Sequence, residues 1–137
     1  MNVAFFLIPK NEVVYVYDHW TLRQAMEKME FHRYSAVPIL NKKGHYLGTL
    51  TEGDILWKIK NSGDLDFMHT DKVMLKDVPL HIKSDPISVN SDIEEIVHTS
   101  ISQNFVPVVD DTGVFIGIIR RREIIEYLSN LIQKKMT

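Results

Sequence analysis

A threonine and an aspartate three positions apart are the first residues of this chain that suggest a chemical task. Thr51 and Asp54 stand where an apolar stretch ends and a helix is expected to begin, with Gly53 between them. A hydroxyl and free N–H groups at a helix start can bind a phosphate, and a carboxylate one turn further on can accept from both hydroxyls of a ribose. The same spacing is that of an ordinary helix-capping box. The pattern therefore indicates either a nucleotide contact or a helix cap.

Three consecutive arginines, Arg120–Arg122, stand where a later helix is expected to begin. The positive end of a helix makes each nearby cation unfavourable by about 0.3–1 kcal/mol. We therefore expect an anion to offset this charge, supplied by a bound ligand, by Glu123, or by both. The alternative is a solvated charged surface, where ion pairs contribute little.

The sequence favours no catalytic, metal or cofactor site. Its six histidines show no i, i+4 pairing and no carboxylate at ligand spacing, and the chain has no cysteine. It contains no Gly-x-Ser-x-Gly elbow, no Gly-x-x-x-x-Gly-Lys loop and no Gly-x-Gly-x-x-Gly fingerprint. We therefore predict that the protein is not an enzyme, has no catalytic or metal-binding residues and carries no resident cofactor.

Composition and charge describe a small globular protein. The chain has 137 residues, of which 45% are hydrophobic, and a formal net charge of −2. This suffices for one compact domain and gives no overall attraction to nucleic acid or to an anionic membrane. The apolar stretch Val3–Ile8 ends at Pro9 and Lys10, far short of a signal peptide or a membrane span. Together with the lack of cysteine, this predicts a cytoplasmic location.

The elements that must position these residues occur twice. Adding 69 to a position in the first copy gives its partner in the second, as in the pairs Pro38 and Pro107, Gly44 and Gly113, Gly48 and Gly117, and Ile55 and Ile124. Two copies of a small unit that cannot bury its own apolar face suggest a stacked pair with a ligand cleft between the copies.

Each copy is predicted to fold as strand, helix, strand, strand, helix. In the first copy these are a strand at Glu12–Val16, a helix with Leu22, Ala25, Met26 and Met29 on one face and Thr21 as cap, a hairpin of Ala36–Leu40 and Tyr46–Thr51, and a helix with Ile55, Leu56 and Ile59. In the second they are a strand at Ile87–Val89, a helix with Ile93, Ile96, Val97 and Ile101, a hairpin around Asp110–Gly113, and a helix with Ile124, Ile125 and Leu128.

The copies differ in the length of the helix and loop before the hairpin. Leu22 and Pro38 are 16 positions apart, but their counterparts Ile93 and Pro107 are 14 apart, so this helix or its exit loop is expected to be shorter in the second copy. A polar stretch with Gly63 follows the first copy. We expect a first repeat at residues 1–62, a linker at 63–80 and a second repeat at 81–137.

Three spaced motifs together resemble a CBS domain: the helix pattern Thr21-Leu22-x-x-Ala25-Met26-x-x-Met29, the strand Val37-Pro38-Ile39, and the segment Gly48–Asp54. Two such domains form a CBS pair, or Bateman module, and the resemblance covers roughly residues 6–132. It implies an α+β fold (α/β layers) in which two β-α-β-β-α repeats pack about a pseudo-twofold axis. It also implies clefts for adenosyl ligands such as AMP, ADP, ATP or S-adenosylmethionine, and assembly into homodimers.

The resemblance assigns site residues to the first repeat. The backbone of Val14 and Tyr15 would read an adenine edge, and Tyr34, Ser35 and Ala36 would line the pocket, with Thr51 at the phosphate and Asp54 at the ribose. An aromatic residue before a strand is equally consistent with core packing. An exposed cleft carboxylate contributes little to stability, so Asp54→Ala is expected to abolish binding and leave the fold intact.

The second repeat departs from this pattern, because Arg120 and Glu123 stand where the first repeat has threonine and aspartate. The segment Tyr34–Ala36 combined with Arg121 and Arg122 resembles short bacterial CBS proteins that bind cyclic di-AMP. In that group the aromatic segment holds one adenine and the arginine pair holds phosphate. AMP or ADP remains well supported by the intact Thr51 and Asp54 of the first repeat.

The sequence therefore predicts a stand-alone cytoplasmic sensor that binds an adenine nucleotide (AMP, ADP, ATP or cyclic di-AMP) in the cleft between its repeats. Without a catalytic domain, it would act by regulating a target protein that the sequence does not identify. The alternative is a ligand-independent dimerisation or adaptor module. Mutation of the pocket residues distinguishes the two.

Overall fold

The computed structural model of the chain describes residues 3–63, 67–81 and 85–136. It contains seven strands, four α-helices and four short 3-10 helices within these ranges. In chain order the strands and α-helices are β1 (Ile8–Pro9), β2 (Val16–Tyr17), α1 (Leu22–His32), β3 (Ala36–Leu40), β4 (Tyr46–Thr51), α2 (Glu52–Asn61), β5 (Ile87–Ser88), α3 (Ile93–Ser100), β6 (Phe105–Val109), β7 (Phe115–Arg120) and α4 (Arg121–Met136). The predicted α+β architecture is confirmed.

Contacts divide the chain into two compact units. One is Val14–Lys83, which we call the first-repeat unit, and the other joins Met1–Val13 to Ser84–Thr137, which we call the second-repeat unit. Each has its own sheet and its own buried apolar cluster.

In the first-repeat unit, β2 pairs in parallel with β3, and β3 pairs antiparallel with β4. The hairpin joins the predicted runs, with Ala36 opposite Thr51 at its open end. Apolar side chains from α1 and the strands fill the core, including Leu22, Ala25, Val37 and Leu50, each fully buried. The periodicity of α1 thus places its apolar face against the sheet.

The second-repeat unit has the strand order β1-β7-β6-β5 and repeats the hairpin with Phe105 opposite Arg120. One backbone bond shows the equivalence of the repeats. Glu52 N donates to Ser35 O at 3.0 Å, and Arg121 N donates to Asn104 O at the same distance. Arg121 and Asn104 each lie 69 positions after their counterparts Glu52 and Ser35, which is the spacing of the sequence repeat.

Both hairpin loops use the same turn chemistry. Gly44 and Gly113 have φ values of 82° and 89°, which favour glycine. A side-chain oxygen at the start of each loop, from Asn41 or Asp110, accepts two backbone N–H groups. The hydrogen bond from Thr112, followed by those from the backbone, lowers the pKa of Asp110 below its ordinary value.

Each unit is completed by a segment that the repeat pattern left out. The first arm, residues 3–13, contributes β1 and the buried side chains of Val3 and Phe6 to the second-repeat unit. The second arm, residues 67–81, contributes Leu75 and Val78 to the core of the first-repeat unit. These arms contain the 3-10 helices Val3–Phe5, Lys10–Glu12, Phe67–Lys72 and Leu75–Asp77.

This grouping differs from the predicted boundaries, which placed residues 1–13 in the first repeat and 63–80 in a linker. The second arm packs because its backbone also bonds to the start of α1, as Leu22 N donates to Val73 O and Leu75 N donates to Trp20 O, both at 2.8 Å. Residues 64–66 of the predicted linker lie outside the described residues.

Two local expectations need correction, and a third is confirmed. The strand predicted at Glu12–Val16 is Val16–Tyr17, the two residues that pair in parallel with Ile39 and Leu40, and Glu12 instead ends the 3-10 helix Lys10–Glu12. Leu56, Ile101 and Ile125, assigned to apolar helix faces, are 53%, 73% and 56% exposed. The shorter helix of the second copy is confirmed, since α3 has 8 residues and α1 has 11.

Among the described residues, no helix combines the length and the apolar character needed to cross a membrane.

Replacing Phe6 with alanine is expected to destabilise the second-repeat unit strongly. The ring is buried against this unit's core and packs edge-on against Tyr127. Truncating a buried Phe costs about 3–5 kcal/mol. Chemical denaturation followed by circular dichroism measures the loss, and Phe5→Ala is the matched control because Phe5 is 70% exposed. Equal small effects of the two substitutions would show that the first arm does not support the core.

Candidate functional site

Most of the predicted site residues of the first repeat meet at one edge of its sheet. Because β2 and β3 are parallel and β4 is antiparallel to β3, the start of β2, the start of β3 and the end of β4 lie at the same edge. Val14 and Tyr15 precede β2, Ala36 begins β3, and Thr51 ends β4. Ser35 joins them through its carbonyl, which accepts from the first residue of α2.

Thr51 and Asp54 form a reciprocal capping box at the start of α2. The Thr51 hydroxyl accepts from Asp54 N at 3.2 Å, and Asp54 Oδ2 accepts from Thr51 N at 3.0 Å. The capping interpretation of this motif is therefore correct. It leaves the Thr51 hydroxyl proton and the remaining lone pairs of the carboxylate for other partners.

The Asp54 side chain is buried, with 3% exposure, and its Oδ1 accepts from His81 N of the second arm at 2.8 Å. The expectation of an exposed cleft carboxylate was wrong. Asp54 holds the arm and the helix start together, because both of its oxygens accept from backbone N–H groups. A substitution here affects the fold as well as any ligand.

Tyr34 and Asp54 line different cavities of the first-repeat unit. Tyr34 is half exposed, stacks on His32 with ring centroids 5.6 Å apart, and lines a cavity of about 370 Å³ with Met26, Met29 and Glu52. Asp54 lines a cavity of about 450 Å³ formed by α2 and the second arm. The two residues therefore line separate cavities, and a single pocket that contains both stays a prediction of the sequence.

The backbone carbonyl of Tyr15, predicted to read an adenine edge, already accepts from Lys28 Nζ at 2.9 Å. The same ammonium lies 5.4 Å from the centroid of the Tyr15 ring and 5.1 Å from that of Trp20, within cation–π range. Burial, followed by the neighbouring Tyr17 hydroxyl, raises the pKa of Tyr15. Val14 packs against the core. Sequence reasoning missed Lys28, because its position in the middle of α1 gave no local signal of a contact with Tyr15, 13 positions earlier.

The three arginines of the second repeat each have a protein partner. Arg121 Nε–H is shared between the carbonyls of Ser100 and Gln103, at 2.8 Å each, so the side chain binds the carbonyl end of α3. Arg120 pairs with Glu123 at 3.2 Å. Arg122, 84% exposed, pairs with Glu126 at 3.1 Å.

These pairs offset only part of the positive charge at the start of α4. Within the described ranges, the terminal Nη groups of Arg121 have no hydrogen bond, while its Nε anchor fixes the guanidinium. The other Glu123 oxygen, Oε2, is buried without a hydrogen-bond partner there. Anchored guanidinium donors are the groups that bind phosphate oxygens well.

The described part of the chain contains no cluster of His, Asp and Glu able to hold a metal ion.

Two β-α-β-β-α units with matching junctions define the class of the protein, a tandem repeat of one small α+β domain. The sequence model of the CBS domain matches residues 7–61 and again residues 72–130. The chain belongs to the CBS domain family.

Comparison with individual proteins agrees with this assignment. An uncharacterized protein of Methanopyrus kandleri is 30% identical over 115 residues, which are 80% of this chain and 56% of that protein. The chain thus spans little more than half of that relative's length. The crystal structure of CbpB in complex with c-di-AMP superposes with a TM-score of 0.84 at 25% identity, over 99% of this chain and 89% of CbpB. That of CBSX2 in complex with AMP shares the fold, with a TM-score of 0.75 at 16% identity over 95% of this chain and 97% of CBSX2.

Asp54→Ala is expected to lower the free energy of unfolding by about 1–3 kcal/mol, because it leaves the N–H groups of Thr51 and His81 without their acceptor. Chemical denaturation measures the change. Glu52→Ala is the control, since this neighbouring carboxylate is exposed. If both variants unfold at the same denaturant concentration, Asp54 does not hold the second arm.

Proposed function

We propose that this protein is a receptor for an adenine nucleotide, with cyclic di-AMP as the first candidate ligand. The observation that carries the proposal is the arginine pair at the start of α4, with Arg121 anchored by its Nε, in a chain that superposes over 99% of its length on CbpB bound to c-di-AMP. The proposal assigns the protein a regulatory role and no catalytic one.

Arg121 and Arg122 supply the phosphate contacts in this proposal. Arg121 is held by its Nε, so its Nη groups lose little side-chain entropy on meeting an anion. Arg122 is exposed, and within the described part of the chain its partner is Glu126, four residues along α4. An exposed i, i+4 pair is weak, so a phosphate can compete for this guanidinium.

The first repeat supplies the base and sugar contacts. Tyr34, Ser35 and Ala36 stand at the sheet edge with Val14, Tyr15 and Thr51, and Tyr34 is exposed enough to pack against a purine ring. Asp54 retains free lone pairs that can accept from a ribose hydroxyl. The sharing of one ligand by both repeats stays a prediction of the sequence.

Signalling follows from differential affinity in this proposal. A ligand that binds one conformation more tightly shifts the population toward it, and a target protein that recognises that conformation reads the change. Action in the cytoplasm and assembly into a homodimer belong to the same proposal.

A ligand panel tests the proposal directly. Thermal unfolding is measured with AMP, ADP, ATP, S-adenosylmethionine and cyclic di-AMP, and each positive result is followed by calorimetry. A ligand at a hundred times its dissociation constant stabilises by about 2.7 kcal/mol, a shift of several degrees for a chain of this size. We expect cyclic di-AMP to give the largest shift. No shift and no heat with any ligand would refute the receptor function.

Arg122→Ala is expected to weaken cyclic di-AMP binding by about tenfold to a hundredfold, the effect of losing one charge-assisted hydrogen bond. Its exposed position makes an effect on stability small. Calorimetry measures the affinity of the wild-type protein and of each variant for cyclic di-AMP. Lys135→Ala is the control, because it removes one positive charge from the exposed far end of the same helix. An equal loss in the two variants would mean that only net charge matters.

A second candidate, a ligand-independent adaptor, is favoured by exposed apolar side chains. Phe31, Phe67 and Met68 of the first-repeat unit are 83%, 63% and 76% exposed, and Ile132 of α4 is 59% exposed. Exposed apolar residues mark a protein contact when they form a contiguous patch. If no ligand of the panel shifts thermal unfolding and the protein forms a stable oligomer, this candidate is favoured.

A further inference from the structure

A cavity of about 370 Å³ lies at the surface of the first-repeat unit, between α1, α2 and the second arm. Its inner lining is apolar, because Met29 and Ile55 are buried in the core and Met26 packs against that core. Phe67 of the second arm also lines the cavity, and Arg23 fixes it beside α1 by donating to the Phe67 carbonyl. The structure therefore presents an apolar cavity with two methionines in its lining.

Large apolar side chains are exposed around this cavity. Leu56 and Phe67 line it and are each more than half exposed. A row of ring contacts joins Tyr34, another lining residue, to His32 and then to Phe31, with centroids 5.6 Å and 4.9 Å apart. A contiguous exposed apolar surface of this kind marks a contact with another protein.

The charged residues of the lining favour a cation. They are Glu30 of α1, Glu52 of α2 and Arg33, so two carboxylates and one guanidinium give the lining a net charge of −1. Within the ranges that the structure describes, neither carboxylate has an ion pair or a side-chain hydrogen bond. A lysine or arginine side chain has an apolar stem and a charged end, which matches a cavity that is apolar inside and acidic at its charged positions.

We propose that this cavity is the docking site of the regulated target protein, and that it accepts a lysine or arginine side chain from an apolar segment of that protein. The stem packs against the two methionines, whose flexible side chains adapt to different partners, and the charge meets the two carboxylates. Flanking apolar residues of the segment cover Leu56 and Phe67. The inference rests on the proposed regulatory function for the existence of a target. It makes no use of Tyr34, to which the receptor proposal assigns a purine.

The test uses peptides as probes and the methyl signals of the methionines in NMR as the readout. One acetylated and amidated peptide carries a lysine between leucines, and two matched peptides carry norleucine or glutamate in place of the lysine. The lysine peptide is expected to shift the signals of Met26 and Met29 and to leave unchanged that of Met136, which is exposed at the far end of α4. We expect it to bind at least fivefold more tightly than the norleucine peptide, and the glutamate peptide to bind most weakly.

Glu30→Gln combined with Glu52→Gln is expected to weaken binding of the lysine peptide about fivefold, since two exposed ion pairs are lost, and binding of the norleucine peptide less than twofold. Glu27→Gln combined with Glu94→Gln is the matched control. It removes the same charge from exposed positions of α1 and α3 that do not line the cavity, and it is expected to change either affinity less than twofold. Circular dichroism verifies that each variant is folded.

Three results would each overturn the inference: equal affinities of the lysine and norleucine peptides, unchanged signals of Met26 and Met29, or an equal loss in the two double variants. Sedimentation velocity tests another occupant, a second copy of this chain, and a dimer that Leu56→Ser dissociates would also overturn it. If the lysine peptide binds as expected but no nucleotide of the panel does, the receptor function fails and the docking site stands. If a nucleotide binds and the lysine peptide does not, only the docking site fails.

Discussion

The carboxylate of Asp54 joins three parts of the first-repeat unit. It accepts from Thr51 N, where β4 becomes α2, and from His81 N at the end of the second arm. A buried carboxylate is tolerated only when its oxygens meet donors, and these donors come from segments 30 positions apart in the chain. The core depends on the same contact, because the arm that Asp54 holds also contributes Leu75 and Val78.

The two repeats share a backbone and differ in the charges placed on it. The junction bond from Glu52 N to Ser35 O recurs as Arg121 N to Asn104 O, so the strand, turn and helix start are the same in both. An acidic first turn suits the positive end of α2, whereas the first turn of α4 carries two arginines. The fold tolerates this because Arg121 donates to carbonyls at the opposite, negative end of α3. The same scaffold therefore carries a carboxylate at the helix start in one repeat and an anchored guanidinium in the other.

Local patterns predicted the helices and hairpins well, and contacts between distant segments were the part that the sequence did not reveal. The hairpin runs, the cap at Thr21 and the shorter α3 follow from periodicity, turn residues and spacing, which act over a few positions. The burial of Asp54 depends on His81, 27 positions away in a stretch without regular periodicity. For the same reason the second arm resembled a linker, although Leu75 and Val78 are buried.

In the receptor that we propose, a nucleotide that bonds to Asp54 meets a group that is already part of the fold. Because the two protein bonds leave acceptor positions free, the ligand can bind with those bonds intact, and the carboxylate loses no rotational freedom that folding has not already removed. In that proposal, binding favours the conformation in which the arm is attached to α2, because the bond from His81 N helps to hold the carboxylate in place. If the proposed receptor function is correct, occupancy of this one carboxylate stabilises the second arm as well as the start of α2.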